Sequence, residues 1–450
     1  MPAVVHMTFD PDYGTDGPTD SKSAIGPWPR SLCSGHLKQR PIGRSLATLS
    51  ALCSQVSLGP FARFHGQRVR GYNRGVHPLT AGLAMTHCPN TFKVDYHQFI
   101  GIDGNPLSGV KIPAVAKDYE RLKTLYQLMV KTRVFDKKAV ALQRTGKLGT
   151  YASCLGHEAA HVAIGAAMRE EDCFAPMYRE YGAQFYRGVE MRDVLLYWGG
   201  DERGNDFKKA RHDFAWCVPI ATQCLHAAGA ALAFKLQKEP RVAVSVVGDG
   251  GSSKGDFLEA INAASAYQLP LVLVIVNNQW AISVPRTSQN SAATLAQKGI
   301  AGGLSSIQVD GNDLVACLWA MDEAIEAARS GQGAAVIEMI TYRLSDHTTA
   351  DDASRYRPNE EVEAAWEREP MIRLRRYLTQ AGVWDDAQEQ ALTETASDQV
   401  QAAVDDYLSE VENNPQPASA MFDDMYADLP HDLAEQRAQA AQFSDEGGQH

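Results

Sequence analysis

Two short runs of apolar residues near the middle of the chain predict buried strands. They cover residues 242–247 (VAVSVV) and 271–276 (LVLVIV) and are rich in β-branched side chains, as expected of strands that are covered on both faces. Between them, apolar residues recur at helical spacing over residues 255–267. A strand, a helix and a second strand in this order form a βαβ unit, in which the two strands run parallel.

The rest of the chain shows the same alternation of helical and extended patterns. The predicted helices cover residues 118–145, 156–168, 223–236 and 314–329, and the further predicted strands cover residues 306–309 and 334–340. Strands that alternate with helices are typical of an α/β fold with a doubly wound parallel sheet. We expect this sheet to carry helical additions at the N-terminal and C-terminal sides.

Composition divides the chain into four predicted parts. Residues 1–84 are rich in Gly, Ser and Pro and lack sustained periodicity, so we expect a disordered extension. Residues 85–117 form an N-terminal arm, and residues 118–383 form the α/β domain. Residues 384–450 form a helical C-terminal region that ends in an acidic tail.

Charge, hydropathy and cysteine usage limit the classes of partner. A formal net charge of −11 argues against nucleic acid, because binding it requires many Lys and Arg side chains. No apolar run approaches the roughly 20 residues that span a bilayer, so we expect no membrane partner. The eight cysteines are scattered without a C-x-x-C pair, which favours reduced thiols in a cytoplasmic protein.

Polar residues follow both strands of the βαβ unit directly. The tetrapeptide 248–251 (GDGG) ends the first strand and the pair 277–278 (NN) ends the second. Either motif alone is typical of a plain turn, but the carboxyl ends of neighbouring parallel strands form the ligand-binding edge of such sheets. The Asp249 carboxylate, the Asn278 amide and the backbone carbonyl of Trp280 offer the hard oxygens that Mg²⁺ prefers, and the glycines allow close approach of a diphosphate.

The tripeptide 248–250 (GDG) and the pair 277–278 (NN), with 26 residues between them, resemble the thiamin diphosphate signature. The flanking sequence resembles the alpha subunit of the decarboxylating first component of 2-oxo acid dehydrogenase complexes in residues 177–182 (MYREYG), 219–223 (PIATQ), 278–283 (NQWAIS) and 342–352 (YRLSDHTTADD). The resemblance covers about residues 90–430. Because it begins only after Met85, we expect Met85 to be the natural start. It implies a thiamin diphosphate-binding fold that holds the cofactor through Mg²⁺.

The resemblance also implies roles for individual residues. Tyr178 and Arg179 would bind the diphosphate, because a guanidinium fork matches phosphate oxygens, and Arg343 would be a second cation for that charge. Ile220 would press against the cofactor and bend it. His347 would transfer protons or pass the acyl group to a lipoyl group. The implied cofactor contacts are Tyr178, Arg179, Ile220, Gly248, Asp249, Gly250, Gly251, Asn278, Arg343 and His347, and the implied metal ligands are Asp249, Asn278 and Trp280.

The loop around His347 is rich in acidic residues. Asp346, Asp351 and Asp352 lie close to it in sequence, and we expect their charges to raise its pKa. The resemblance places Thr348 where eukaryotic relatives carry a phosphorylated serine, so we do not expect control by that route.

Two other metal sites are possible on sequence grounds. Thr222 and Gln223 match a stretch that helps to hold a structural potassium ion in branched-chain relatives, although capping of a helix explains them equally well. His157 and His161 are spaced i, i+4, as in a zinc-dependent hydrolase, but Glu158 is out of register for such a motif and no third ligand is apparent.

The resemblance implies that a partner completes the active site. In this superfamily a glutamate from a separate pyrimidine-binding domain activates the cofactor, but residues 384–450 are too few for such a domain and residues 1–110 lack strand–helix alternation. We therefore expect a beta subunit, an α2β2 tetramer with active sites at the interfaces, and a lipoyl acyltransferase component that receives the acyl group.

The expected substrate is a 2-oxo acid. Residues 199–203 (GGDER) and 211–213 (RHD) resemble bacterial members that act on pyruvate, which favours pyruvate. A branched-chain 2-oxo acid stays open because residues 221–223 (ATQ) resemble the branched-chain members. The intact Asp249 and Asn278 argue against an inactive scaffold subunit.

Overall fold

A computed structural model describes residues 92–423 and 425–443 of the chain. The strands are β1 (Asp95–His97), β2 (Cys173–Ala175), β3 (Ala243–Gly248), β4 (Leu271–Asn277), β5 (Trp280–Ala281), β6 (Val284–Pro285), β7 (Ser305–Asp310) and β8 (Ala335–Ile340). The α-helices are α1 (Tyr119–Arg144), α2 (Glu158–Ala167), α3 (Tyr181–Arg187), α4 (Met191–Trp198), α5 (Thr222–Gln237), α6 (Gly255–Ala266), α7 (Arg286–Gln289), α8 (Gln297–Ala301), α9 (Leu314–Arg329), α10 (Asn359–Trp366), α11 (Pro370–Gln380), α12 (Asp386–Asn413) and α13 (His431–Ala441). Within these ranges, no helix combines the length and hydropathy needed to span a bilayer.

The described residues form a parallel six-stranded sheet in the order β1-β7-β8-β4-β3-β2. A small antiparallel hairpin of β5 and β6 follows β4. The predicted α/β fold with a parallel sheet and flanking helices is confirmed. Helix α9 covers the residues predicted for it, and α1, α2, α5 and α6 differ from their predictions by one or two residues at their ends.

Alternate residues of each central strand pack against helices on opposite faces of the sheet. In β4, Val272 and Val274 belong to the apolar core that contains α1, α2 and α9, whereas Leu271 and Leu273 belong to the core that contains α5 and α6. A strand between two helical layers has no solvent-facing side. This double coverage explains the continuous apolar runs from which the strands were predicted.

Strand β1 was missed by the sequence analysis, which assigned residues 85–117 to an arm without a strand. β1 is three residues long, two of them are exposed, and it pairs only with β7 at the sheet edge. The arm is fixed beyond it by Asp313, whose Oδ2 accepts hydrogen bonds from the backbone N–H groups of Phe99 and Ile100 at 2.7 and 2.8 Å. A short, half-exposed edge strand needs no apolar run, so the sequence carries no signal for it.

The C-terminal region is helical in its described part, as expected. Helix α12 packs along α1, with Val400, Val404 and Tyr407 buried. The Tyr126 hydroxyl on α1 also bonds the Glu389 carboxylate on α12 at 3.0 Å. The predicted extension over residues 1–84 lies outside the described residues, and the predicted domain boundaries stay predictions.

The order of strands brings four connecting segments to one edge of the sheet. Strands β8, β4, β3 and β2 are consecutive neighbours and all run in one direction. Their carboxyl ends therefore meet, and the segments that follow them contain Tyr178, Asp249, Asn278 and His347. This edge is where open α/β sheets bind their ligands.

Candidate active site

A cavity of about 640 Å³ opens at the carboxyl edge of the sheet. Its lining includes Tyr178, Arg179, Ile220, Gly248, Asp249, Gly250, Gly251, Asn278, Trp280 and His347. These are all of the residues expected to bind the cofactor or metal, except Arg343. The structure therefore brings together side chains that are up to 169 positions apart in the sequence.

Asp249 is the buried negative charge of this cavity. Its side chain is 1% exposed, and no hydrogen-bond partner for its Oδ2 atom exists among the described residues. Burial raises its pKa to about 6, because a charged carboxylate is costly in a dry site and the charges of Arg343 and Arg286 offset only part of this cost. An unpartnered buried carboxylate oxygen fits a divalent cation, which would supply the missing charge.

The other expected metal ligands lie beside Asp249 in the cavity wall. The Asn278 Oδ1 atom accepts a hydrogen bond from the Trp280 backbone N–H at 3.1 Å, which fixes the turn after β4. The Trp280 carbonyl faces the Arg343 guanidinium at 3.5 Å. Carboxylate, amide and carbonyl oxygens are the donor set that suits magnesium.

Glycine is required at two positions of the turn after β3. A methyl group built at Gly250 would lie 2.6 Å from the Cβ of Ala281, and one at Gly251 would lie 2.6 Å from Val247 and 2.9 Å from Ile220. Real Cβ contacts are essentially never this short. The turn thus packs directly against Ile220 and the hairpin and keeps its backbone open to the cavity.

The outer side of this turn is held by side chains from residues 286–298. Gln289 Nε2 donates to the Gly250 carbonyl at 3.0 Å, and Lys298 Nζ bonds Ser252 Oγ at 2.8 Å. Ser252 Oγ in turn donates to the Asp249 carbonyl at 2.7 Å. These bonds hold the turn through its backbone carbonyls and Ser252, and they leave Asp249 Oδ2 without a partner among the described residues.

Tyr178 and Arg179 form the opposite wall of the cavity. The Arg179 Nη1 group donates to the Ser153 carbonyl, and Nη2 donates to the His347 carbonyl at 3.0 Å. The guanidinium carbon lies 5.4 Å from the centre of the Tyr178 ring, a cation–π distance. Arg179 is therefore a buried, fixed positive charge beside the cavity.

Arg343 lies behind the cavity wall rather than in its lining. Its side chain is completely buried, and Nη2 donates to the Ile282 carbonyl and to the Tyr356 hydroxyl, each at 2.9 Å. These contacts join the hairpin to the loop that carries His347. The expected contact of Arg343 with a diphosphate stays a prediction.

The His347 ring lies between two guanidinium groups. Its Nδ1 atom is 3.4 Å from Arg179 Nη2 and 3.3 Å from Arg343 Nη1. Both arginine nitrogens are obligate donors, so Nδ1 must accept and the ring proton of the neutral form resides on Nε2. Burial, together with the charges of Arg179 and Arg343, lowers the pKa of His347 to about 4.

The expected upward shift of this pKa was therefore wrong. Asp346 and Asp352 are used elsewhere, since they accept hydrogen bonds from the backbone N–H groups of Ala353 and Ser354. Only Asp351 acts to raise the pKa, and its carboxylate is bound to the His347 backbone N–H at 2.9 Å and to the Tyr356 hydroxyl. The pKa of His347 is therefore set by burial and by the two arginines that lie close to its ring in space, and not by the three aspartates that lie close to it in sequence.

Three non-glycine residues that line the cavity or directly adjoin a lining residue in sequence adopt left-handed backbone conformations. The φ angles of Ala221, Gln279 and Ile282 are 68°, 73° and 56°. Such conformations cost roughly 1–3 kcal/mol and concentrate at functional sites. No local sequence pattern marks these conformations or the lining residues Trp198 and Val218, so neither could be predicted from the sequence.

The alternative metal sites have little structural support. Gln223 is buried, with Nε2 bound to the Val246 carbonyl at 2.7 Å and no partner for Oε1 among the described residues, so potassium binding stays a prediction. His157 and His161 are buried and stacked, with ring centroids 5.3 Å apart. No cluster of three or more His, Cys, Asp or Glu suited to a metal occurs in the described part of the chain. The zinc alternative therefore still lacks a third ligand there.

Known proteins provide an independent comparison. The family described as dehydrogenase E1 component matches residues 126–419. The chain is 39% identical over 347 residues to the pyruvate dehydrogenase E1 component subunit alpha of Staphylococcus epidermidis. This alignment covers 76% of the chain and 92% of the relative. The subunit of the same name from Staphylococcus aureus is 38% identical with the same coverage.

Proposed function

This chain belongs to the dehydrogenase E1 component family, and we propose that it is the alpha subunit of a pyruvate dehydrogenase. Its reaction would be the thiamin diphosphate-dependent oxidative decarboxylation of pyruvate with transfer of the acetyl group to a lipoyl group. Pyruvate is favoured as the substrate because the similar proteins of Staphylococcus epidermidis and Staphylococcus aureus are named as pyruvate dehydrogenase subunits. A branched-chain 2-oxo acid is the second candidate, from the likeness of residues 221–223 to branched-chain members.

The cavity offers a place for each part of the cofactor. Asp249, Asn278 and the Trp280 carbonyl would bind Mg²⁺, and the glycines of residues 248–251 would let the diphosphate approach the backbone. Ile220 would press against the rings. Bound thiamin diphosphate supplies the electron sink that decarboxylation of a 2-oxo acid requires.

His347 would act as a hydrogen-bond donor rather than as a base. Its Nδ1 atom faces two arginines and its pKa is about 4, so the neutral ring offers only the Nε2–H at neutral pH. Acceptors within the reaction are the carbonyl oxygen of the acyl group and the sulfur of the lipoyl group. Either contact would orient the acyl group during transfer.

A beta subunit would complete the site. Val218 and Ile282 line the cavity but are 50% and 58% exposed, and apolar side chains exposed beside a cavity are typical of an interface. The expected assembly is an α2β2 tetramer that passes the acyl group to a lipoyl acyltransferase component in the cytoplasm.

The observation that supports the proposal best is the buried Asp249 carboxylate, whose Oδ2 atom has no partner among the described residues, in a glycine-lined cavity. Thiamin diphosphate should be titrated with Mg²⁺ into tetramers that contain Asp249→Ala, with Asp322→Ala as control because Asp322 is a partly exposed residue of α9 that pairs with Arg121. We expect Asp249→Ala to weaken binding by at least 100-fold and the control to leave it unchanged. Unchanged affinity in Asp249→Ala would refute the metal assignment.

A substrate panel distinguishes the two candidate reactions. The wild-type tetramer should be assayed with pyruvate and with 2-oxoisovalerate, using a lipoyl domain as acceptor. We expect kcat/KM for pyruvate to exceed that for 2-oxoisovalerate by at least tenfold. The opposite preference would make the branched-chain assignment the correct one.

A further inference from the structure

We propose that Asp136, a residue of helix α1 outside the cavity, is a positioning residue that fixes both Arg179 and the His347 loop. It acts through the stretch of residues 151–155, hereafter the 151–155 segment. The inference rests on the proposed function, because it assigns Asp136 a part in cofactor binding and acyl transfer.

The Asp136 carboxylate holds the 151–155 segment by three hydrogen bonds. Its side chain is 2% exposed, and its carboxylate accepts hydrogen bonds from the Tyr151 hydroxyl at 3.0 Å, the Ser153 hydroxyl at 2.6 Å and the Cys154 backbone N–H at 2.8 Å. Three donors from four consecutive residues thus converge on one buried carboxylate. Removing the Asp136 carboxylate would leave these three donors without an acceptor in a buried environment, which is energetically costly. The segment belongs to no helix or strand, so we expect it to shift until the donors find other acceptors.

Two backbone carbonyls of the 151–155 segment bind Arg179 and the nearby Tyr181. The Ser153 carbonyl accepts from Arg179 Nη1, and the Ala152 carbonyl accepts from the Tyr181 hydroxyl at 2.9 Å. The position of the Ser153 carbonyl therefore helps to set where the guanidinium lies. A shift of about 1 Å in such a group can cost on the order of 10² in rate.

The same segment also holds the loop that carries His347. The Tyr151 backbone N–H donates to Thr349 Oγ1 at 3.0 Å, and the Thr349 backbone N–H donates to the Tyr151 carbonyl at 2.9 Å. The Leu344 N–H donates to the Leu155 carbonyl at 3.2 Å. The loop is thus bound to the 151–155 segment on both sides of His347, and Asp136 holds that segment through Tyr151, Ser153 and Cys154.

Asp313 provides a matched control. It too is buried, at 1% exposure, and it accepts four backbone N–H groups, from Phe99, Ile100, Val315 and Ala316. It does not line the cavity. Substitution of Asp313 should therefore reproduce the loss of stability that any buried carboxylate causes, without a specific effect on the site.

The test compares Asp136→Ala and Asp136→Asn with Asp313→Ala and Asp313→Asn in the tetramer with its beta subunit. Three quantities are measured: thiamin diphosphate affinity, turnover with a lipoyl domain, and hydrogen exchange of the Thr349 N–H in cofactor-free protein. We expect Asp136→Ala to weaken affinity and turnover by at least tenfold each and to accelerate exchange by at least tenfold. Asp136→Asn should recover most of the loss, because Oδ1 still accepts from Cys154 while the amide donates to Ser153 Oγ. Asp313→Ala should lower the Tm and leave the other values within about twofold.

The inference is overturned if Asp136→Ala and Asp313→Ala behave alike, or if Asp136→Asn is as impaired as Asp136→Ala. If Asp136→Ala does not assemble, the double variant Ser153→Ala, Tyr151→Phe is used instead. It deletes two of the three donors to Asp136, so no hydroxyl is left without an acceptor. Unchanged Thr349 exchange and unchanged cofactor affinity in this variant would overturn the inference. A wild-type tetramer that does not bind thiamin diphosphate would refute the proposed function instead. The positioning role is then decided by Thr349 exchange alone, since faster exchange in Asp136→Ala supports it and unchanged exchange overturns it.

Discussion

At the scale of single residues, the site is governed by which charges are buried together. His347 shares its surroundings with the guanidinium groups of Arg179 and Arg343, both of which are almost inaccessible to solvent. A second proton on the ring would add a third positive charge to this cluster, so the neutral ring is favoured. The opposite holds for Asp249, a buried acid whose Oδ2 atom has no partner among the described residues and whose pKa is raised by burial.

The first prediction concerns the protonation of His347. Its pKa is lowered from the ordinary value of 6.5 to about 4, so the ring stays neutral above about pH 5 and loses neutrality only as the pH falls through 4. Carbethoxylation requires an unprotonated ring nitrogen, and Nδ1 of His347 is engaged by the two arginines. His347 should therefore react more slowly than a free imidazole, but at a constant rate from pH 5.5 to 7.5, as followed by peptide mass spectrometry. In Arg343→Gln the pKa should rise, and the rate should fall below pH 6.

N-acetylhistidine in the same reaction serves as the reference for an ordinary imidazole. A wild-type His347 rate that declines in parallel with this reference between pH 7 and 5.5 would show that the two arginines do not control the ring.

The second prediction concerns Gly251. A Cβ there would approach Val247 and Ile220 to 2.6 and 2.9 Å, so Gly251→Ala should destabilise the protein by about 1–3 kcal/mol through overpacking. It should also displace Ile220 and weaken thiamin diphosphate binding by about tenfold, measured by titration. The control is Gly229→Ala in helix α5, where a Cβ would meet nothing within 4 Å. That change should stabilise by about 0.5–1 kcal/mol, and equal effects of the two substitutions would contradict the packing argument.

At the scale of elements, one buried carboxylate ties several parts of the sheet together. Glu338 in the middle of β8 accepts from Asn277 Nδ2 at 2.7 Å on β4 and from Gln308 Nε2 at 3.0 Å on β7. It also accepts the backbone N–H groups of Leu295 and Ala296 at 2.8 and 3.0 Å, just before α8. The segment that supports the turn after β3 is thus fixed to the centre of the sheet.

The third prediction follows from this arrangement. Glu338→Ala leaves four donors without their acceptor, at about 1–3 kcal/mol each for those that stay buried, so we expect a loss of stability of about 3 kcal/mol or more in urea unfolding. Tryptic cleavage after Arg286 should accelerate at least tenfold. Glu326→Ala, which removes an exposed side chain of α9 with only long ion pairs of 3.8 Å, should change stability by less than about 0.5 kcal/mol. Resistance of Glu338→Ala to trypsin equal to wild type would contradict this role.

At the scale of the whole molecule, the cavity is an open site with an apolar rim. Val218 and Ile282 are exposed at its lining, and Ile282 also carries a left-handed backbone. An isolated chain would gain little from either feature, whereas a partner that covers the rim would bury both. The proposed beta subunit accounts for this surface and would exclude water from the cavity.

The fourth prediction tests this rim. Val218→Glu and Ile282→Glu place a charge on the surface that the beta subunit is expected to cover, so each should weaken tetramer assembly by at least 100-fold in sedimentation velocity. The Tm of the alpha chain itself should stay within a few degrees of wild type, because both side chains are exposed. Val411→Glu on α12 changes a similarly exposed side chain, at 42%, and should leave assembly unaffected. Normal assembly of both rim variants would place the beta subunit elsewhere.

The sequence by itself determined the main strands β3, β4, β7 and β8, the helices α1, α2, α5, α6 and α9, and the cluster of polar groups at the sheet edge. Apolar runs report burial on both faces, and parallel neighbours place their carboxyl ends together, so Asp249 and Asn278 could be brought to one site from local pattern and topology alone. The likeness of separate motifs to one family added Tyr178, Arg179 and His347, which the structure places around the same cavity.

Only the tertiary structure decided the electrostatics and the supporting contacts. The pKa of His347 depends on Arg179, which is 168 positions away in sequence, and the location of Arg343 behind the wall depends on the hairpin and on Tyr356. Strand β1 and the role of Asp136 likewise depend on pairings between distant segments. Periodicity reports which face of an element is buried, whereas charge interactions depend on distances in space, and these exist only once the chain has folded.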